Sequence, residues 1–267
     1  MPRRPRERLG TRLPWLLRDP TNVTYLDSYD AVVGVSQYTV DWIGRLWERD
    51  AEVLYPPIQV DRFHPAQQRA RSIISAGRFF APGSGHAKRQ LEQVQTFARL
   101  VRAGQLTGWT LHMVGGCEPS QHGYLDTVRA AGEGIPVEVH ANAPRHVLED
   151  LMSTAAIQWS ATGYGEDESK KPWNAEHFGM TTVEAMAGGC VPIVIDKAGQ
   201  KEIITPGVDG YRWSTPAQLK QQTARIAGDE ALRARLSAAA VRRSATFSDE
   251  AFADRWQEIA AENGLLG

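Results

Sequence analysis

Residues Trp173 to Gly189 read WNAEHFGMTTVEAMAGG, and two carboxylates, Glu176 and Glu184, bracket a run of glycine, threonine and phenylalanine. A carboxylate only accepts hydrogen bonds, which suits sugar hydroxyls. A glycosidase pair would stand roughly 5 to 9.5 Å apart. Eight helical residues cover about 12 Å, and an extended chain covers more. The spacing therefore fits two separate contacts on one elongated ligand better than an acid–base couple. Thr181 and Glu184 also match the capping box S/T-x-x-E, with Thr181 as N-cap and Glu184 at the third helical position. Capping accounts for Glu184 and leaves Glu176 without a role. The start of such a helix leaves the N–H groups of Gly179, Met180, Thr181 and Thr182 free to hold an anion.

A second candidate is SAGRFFAPGSGHAKRQ, from Ser75 to Gln90. It is not a P-loop, because G-x-x-x-x-G-K-[ST] is absent: Ala87 precedes Lys88 and Arg89 follows it. Glycines beginning with Gly77, a following helix, and the cations Arg78 and Lys88 still make a phosphate-binding loop. A surface loop with solvated cations is the alternative, and spacing does not separate the two. A third candidate, HMVGGCEP, places Gly115 after a strand, where a tight turn is the simpler reading. With no G-x-G-x-x-G, a nicotinamide or flavin cofactor is not expected. The histidines are scattered and no metal-ligand motif occurs, so no metal is expected. The acidic run GEDES at Gly165 to Ser169 reads as solvated charge rather than a cation site. Trp173, in the same loop, is either a lid or an anchor.

These residues need a frame. From about Arg71 onward, short β-branched runs (RSIISAG, WTLHMVGG, VEVHA, AIQWSA, CVPIVID, DGYRW) alternate with stretches of helical periodicity. That alternation predicts an α/β, Rossmann-like, doubly wound parallel sheet with a helical C-terminal tail. Ligands of such sheets bind beyond the C-terminal ends of the strands, where all three candidates fall. The division expected is 1–65 and 66–267. In the first part YDAVVGVSQYTVDWIGRLW reads as one strand and one helix, and LYPPIQVDRFHP as a proline-rich linker. One strand and one helix cannot bury a core, so they either dock on the main sheet or belong to something larger.

The bulk of the 267-residue chain agrees with a soluble globular protein: 42% hydrophobic, 23% charged, formal net charge −1. That balance gives no reason to expect nucleic acid as a partner. No apolar run approaches the roughly 20 residues that span a bilayer, and MPRRPRERLG lacks a signal-peptide core. Two cysteines, Cys117 and Cys190, fit a reducing compartment. A cytoplasmic location is expected, with peripheral attachment at the cytoplasmic membrane face as the alternative that the basic start allows.

EHFGMTTVEAMAGGCVPIVIDKAGQKEII resembles the E-x-F-G-x-x-x-x-E signature, A-M-A-x-G and buried strand of the family 4 (group 1) retaining glycosyltransferases of GT-B fold. SAGRFF…AKRQLEQVQTF resembles that family's arginine and lysine with a longer loop between them, and LHMVGG its glycine turn. VSQYT and LYPPIQVDRFHP resemble the end of its acceptor half and its interdomain linker. The resemblance runs from about Tyr29 to near the C-terminus. It implies one half of a GT-B fold, the nucleotide-sugar-binding half, preceded by a remnant of the acceptor domain. It implies catalytic roles for Glu176 at the donor sugar and for Arg78 and Lys88 at the leaving diphosphate. It implies donor contacts from Gly77, Gly115, Phe178, Gly179, Met180, Thr181 and Thr182, with Glu184 at the ribose. No metal is implied. WNAEHFG and YPPI look most like lipid-linked mannosyltransferases, which favours GDP-mannose over a UDP-sugar. The acceptor, whether lipid-linked, glycan or small molecule, is not specified. Fewer than 30 residues precede YDAVVGVS, so the missing acceptor half, or self-association through exposed apolar surface such as Trp256, is an expected partner. A non-catalytic nucleotide-sugar-binding module or a split-enzyme subunit is the alternative reading.

Overall fold

The structure is a computed structural model that describes residues 23–84 and 86–265. The basic start lies outside the described residues. A short parallel pair, β1 (Val33–Gly34) and β2 (Glu52–Val53), flanks helix α1 (Gln37–Trp47). Six strands follow: β3 (Ala70–Ala76), β4 (Thr110–Gly115), β5 (Val137–Ala141), β6 (Ala155–Ser160), β7 (Val191–Ile195) and β8 (Tyr211–Trp213). They alternate with α2 (Gln90–Arg102), α3 (His122–Ala131), α4 (Arg145–Thr154), α5 (Met180–Ala187) and α6 (Gln200–Ile203). Helices α7 (Pro216–Gly228), α8 (Glu230–Ser244) and α9 (Asp249–Glu262) complete the chain.

The six strands are parallel in the order β5-β4-β3-β6-β7-β8. The expected α/β sheet and its helical tail are both present. Near-continuous apolar runs such as VPIVI in β7 arise because both faces of the sheet are covered. On one face Ile73, Leu111, Met113, Ile157 and Ile193 pack with Val94, Phe97, Leu100, Val128, Leu219 and Ile226 from α2, α3 and α7. On the other, Ile74, Ala76 and Val114 pack with Met152 and Ala185 from α4 and α5. Strand order reverses between β3 and β6, and at such a switch point the loops leave in opposite directions and open a crevice.

The N-terminal strand and helix dock on this body. The Glu202 carboxylate, in α6, accepts the N–H groups of Gln37 at 2.8 Å and Tyr38 at 2.9 Å, at the positive end of the α1 dipole. The Tyr55 hydroxyl donates to the same carboxylate, and burial followed by the Glu202 charge pushes it up to about 12. The proline-rich segment is not a free tether: Ile58 and Phe63 are buried, Ile58 among Phe178, Val183 and Phe247. Helix α9 crosses back to the N-terminal strands, where Arg255 bonds Glu52 at 2.7 Å, while Trp256 stays 43% exposed.

Candidate functional site

The site residues converge at the C-terminal ends of β3, β4 and β6. Gly77 and Gly115 lie against each other: a Cβ on Gly115 would fall 2.0 Å from the Gly77 carbonyl oxygen. Gly77 also has φ +155°, and a Cβ there would meet the Lys88 side chain at 2.7 Å. Both glycines therefore serve close backbone approach. The loop is pinned from below. Gln90, buried at the start of α2, donates to the Arg78 carbonyl at 3.0 Å and to that of Gly77 at 3.3 Å. Asn142, at the end of β5, holds Cys117 at both its N–H (2.8 Å) and its carbonyl (3.0 Å).

Arg78, Phe80, His86, Lys88 and Glu176 line one cleft of about 190 Å³. Arg78 is exposed, lies 4.8 Å above the Phe80 ring, and has no ion-pair partner among the described residues. Lys88 donates to Glu176 Oε2 at 2.5 Å, and the Thr162 hydroxyl donates to the same oxygen at 3.2 Å. Enclosure pushes the Glu176 carboxyl up. The Lys88 charge and hydrogen bond, then Thr162 and His86, outweigh it and hold the group below the usual glutamate range. Glu176 thus stays an anion in the cleft. His177, its ring 5.2 Å from that of His86, is lowered by burial and then by the His86 charge.

Glu184 departs from the expected capping box. Helix α5 starts at Met180 with Gly179 as its N-cap, at φ 120°, and no side chain caps it. The positive φ lets the chain turn into the helix two residues earlier than a threonine cap would, so Glu184 lies a full turn inside. It is buried, and Arg145 of α4 donates to its Oε1 at 2.6 Å. Arg145 also binds Glu149 at 3.0 Å. Burial lowers the affinity of its guanidinium for a proton, the Glu184 and Glu149 carboxylates raise it, and the net shift is upward.

The N–H groups of Gly179, Met180 and Thr181 have no hydrogen-bond partner among the described residues. That of Thr182 is already bonded to the Gly179 carbonyl at 2.9 Å, and its hydroxyl accepts from Gln200 at 3.0 Å. Phe178 faces the core, with its ring 5.4 Å from those of Tyr55 and Phe247. The helix start thus offers three N–H groups rather than four, and Phe178 and Thr182 brace it from beneath.

Two carboxylates of the acidic run are bonded into the fold, while Asp167 between them stays exposed as expected. Glu166 binds Arg89 at 2.5 Å and Asn174 at 3.1 Å, Asp167 accepts from Ser169, and Glu168 accepts the Ala198 N–H at 3.0 Å. Trp173 is 58% exposed and shares an apolar hollow with Trp42, Leu46, Trp47 and His177. Sequence reasoning missed Arg145, Asn142, Thr162, Gln90 and Gln200. Gln90 and Thr162 act within their own connecting segments, while Arg145, Asn142 and Gln200 join different elements; none belongs to a spaced motif. A cleft of about 910 Å³ beside Arg69, Arg233 and Arg242 opens near the strand starts, the edge such sheets do not use for ligands.

The family profile described as "Glycosyl transferases group 1" matches residues 61–243. The chain is 28% identical over 192 residues to the Xenopus laevis protein named GDP-Man:Man(3)GlcNAc(2)-PP-Dol alpha-1,2-mannosyltransferase, covering 66% of this chain and 36% of that relative. The chain thus spans well under two thirds of the length of that relative. Among solved structures, the fold is similar to Anabaena HepE in complex with UDP (TM-score 0.74, 16% identity, 90% of this chain and 66% of that one). It is also similar to sucrose-phosphate synthase from Thermosynechococcus elongatus (TM-score 0.72, 19% identity, 94% of this chain and 64% of that one).

Proposed function

The chain belongs to the group 1 glycosyl transferases, and on that premise we propose that it binds a nucleotide-diphosphate sugar at the switch-point cleft and transfers the hexosyl group to an acceptor. One observation carries the reading. Two cations, Arg78 and Lys88, and an anion held in its charged form, Glu176, line a single cleft. Helix α5, whose start offers three N–H groups without a partner among the described residues, begins four residues after Glu176. A diphosphate needs the first set and the helix, and sugar hydroxyls need the carboxylate.

In the transfer, the bond from the anomeric carbon to the diphosphate oxygen breaks, and its electron pair leaves with the diphosphate. The acceptor hydroxyl oxygen bonds the anomeric carbon on the same face, and its proton passes to the departing phosphate oxygen. Configuration is retained. Arg78, Lys88 and the N–H groups of Gly179, Met180 and Thr181 stabilise the charge that builds on the diphosphate. Glu176 holds hydroxyls of the sugar and lies by the positive anomeric carbon. Glu184, braced by Arg145, takes the ribose hydroxyls.

A GDP-linked mannose is the favoured donor, supported by the name of the Xenopus laevis relative and by the WNAEHFG stretch. A lipid-linked acceptor is supported by the same name and by the exposed Trp42, Leu46, Trp47 and Trp173 hollow beside His177. A lipid-linked acceptor favours a place at the cytoplasmic face of a membrane; no helix of the described residues is long and apolar enough to cross one. The two side-chain cations of the cleft support a transfer without a metal.

Thermal-shift measurements with GDP, UDP, ADP and their sugar conjugates test the reading. A ligand at a hundred times its dissociation constant stabilises the folded state by about 2.7 kcal/mol. The expected result is the largest rise in melting temperature with GDP and GDP-mannose. No rise with any nucleoside diphosphate, well above millimolar, would overturn it.

A further inference from the structure

Away from the donor cleft, three metal-ligating side chains meet on adjacent strands. His112 of β4 is the register partner of Glu138 of β5. His140 lies two residues beyond Glu138 and so on the same face of its strand. The ligand-capable atoms form a near-equilateral triangle: His112 Nδ1 to His140 Nε2 is 3.2 Å, His112 Nδ1 to Glu138 Oε2 is 3.4 Å, and His140 Nε2 to Glu138 Oε2 is 3.6 Å.

Bonds of about 2.0–2.1 Å from a tetrahedral zinc ion place neighbouring ligand atoms about 3.3–3.4 Å apart. The triangle's edges, 3.2, 3.4 and 3.6 Å, bracket that spacing. A hydrogen bond between the two imidazoles accounts for one edge only. It does not require the carboxylate oxygen to be nearly equidistant from both nitrogens. The side chains also grade outward, from His112 at 13% exposure through His140 at 26% to Glu138 at 58%. The triangle thus closes toward the sheet and opens to water on its outer side.

We propose that His112, Glu138 and His140 form a divalent metal site, with zinc the fitting ion and water in the fourth position. Two neutral imidazoles and a carboxylate are the donor set that zinc takes from protein side chains. The ligands lie along the strands, short of Gly115 and Ala141 where β4 and β5 end, so the ion is not part of the donor cleft. Its work is mechanical. It fastens edge strand β5, which has one neighbour, to β4, and Asn142, one residue past β5, positions the Gly115–Cys117 turn. The spacing rules that find metal sites within one segment miss this one, because its two histidines are 28 residues apart and only strand pairing joins them.

The test titrates the full chain, freed of metal by chelation, with Co²⁺ and then Zn²⁺. The expected result is one Co²⁺ per chain with the intense visible bands of tetrahedral coordination, displaced by Zn²⁺, and a higher melting temperature with Zn²⁺. His140→Gln and Glu138→Gln, both at the accessible side of the edge strand, are each expected to weaken binding at least about tenfold. His112→Gln should do the same if it folds. Absence of binding, octahedral Co²⁺ bands alone, or unchanged affinity in both His140→Gln and Glu138→Gln would overturn the proposal. The readout involves no nucleotide, so it fails or succeeds independently of the proposed function.

Discussion

Lys88 Nζ stands 2.5 Å from Glu176 Oε2, across 88 residues of sequence. The bond ties the loop after β3 to the loop before α5, the two walls of the switch-point cleft. On the proposed function it also sets a competition: a bound diphosphate would draw on the same ammonium and release Glu176 toward sugar hydroxyls.

Acid should weaken the fold through this pair. Glu176 is held below its ordinary value of 4.5, so its contribution is complete above that value and is lost as pH falls through the folded one. Melting temperature followed from pH 6 to pH 3 should drop more steeply in the wild type than in Glu176→Gln. With donor and acceptor supplied, the same variant should lose roughly 10²-fold or more in turnover. Parallel pH profiles would remove the charged pair from the account.

Arg78 and Lys88 should separate by calorimetry. Arg78 is exposed and has no ion-pair partner among the described residues, so Arg78→Ala should leave the melting temperature within about 1 °C and cost a charge-assisted bond to the diphosphate, about 1.5–3 kcal/mol or some tenfold to a hundredfold in affinity. Lys88→Ala should weaken GDP binding and also lower stability, because it strands Glu176. Unchanged GDP affinity in Arg78→Ala would place the diphosphate elsewhere.

Close backbone approach predicts a sharp contrast between glycines. Gly115→Ala puts a methyl 2.0 Å from the Gly77 carbonyl oxygen, backbone against backbone, while Gly123→Ala meets nothing within 4 Å. The first should cost about 1–3 kcal/mol and impair nucleotide binding. The second should be neutral or slightly stabilising. Chemical denaturation reads both, and equal midpoints would contradict the geometry.

The Arg145–Glu184 bond invites a double-mutant cycle. Arg145 is 45% exposed, so the coupling should be near the surface range of about 0.2–1 kcal/mol. Arg145→Ala should nonetheless loosen GDP binding by freeing Glu184 from its rotamer. A capping role for Glu184 would instead give zero coupling with Arg145.

Much of the frame was legible in the chain. Strand runs such as RSIISAG and VPIVID are apolar enough to be buried on both faces, and their alternation with helical periodicity admits few topologies. The places where chemistry collects followed from the same alternation, since a parallel sheet exposes its loops at one edge. Glycines 77, 115 and 179 were likewise visible as backbone without side chain.

What the chain alone did not determine is who faces whom. Composition cannot show that Lys88 is neutralised by Glu176, that Glu184 answers to Arg145, or that Glu166 and Glu168 are bonded while Asp167 between them is exposed. A local motif pointed the wrong way at Thr181, because a glycine at φ 120° started the helix earlier than a side-chain cap would. Sequence fixes periodicity and burial through local, additive preferences. Pairing between distant side chains depends on strand register and helix placement, which exist only once the core has packed, and that is why the cleft and the His112–Glu138–His140 triangle were decided by tertiary structure.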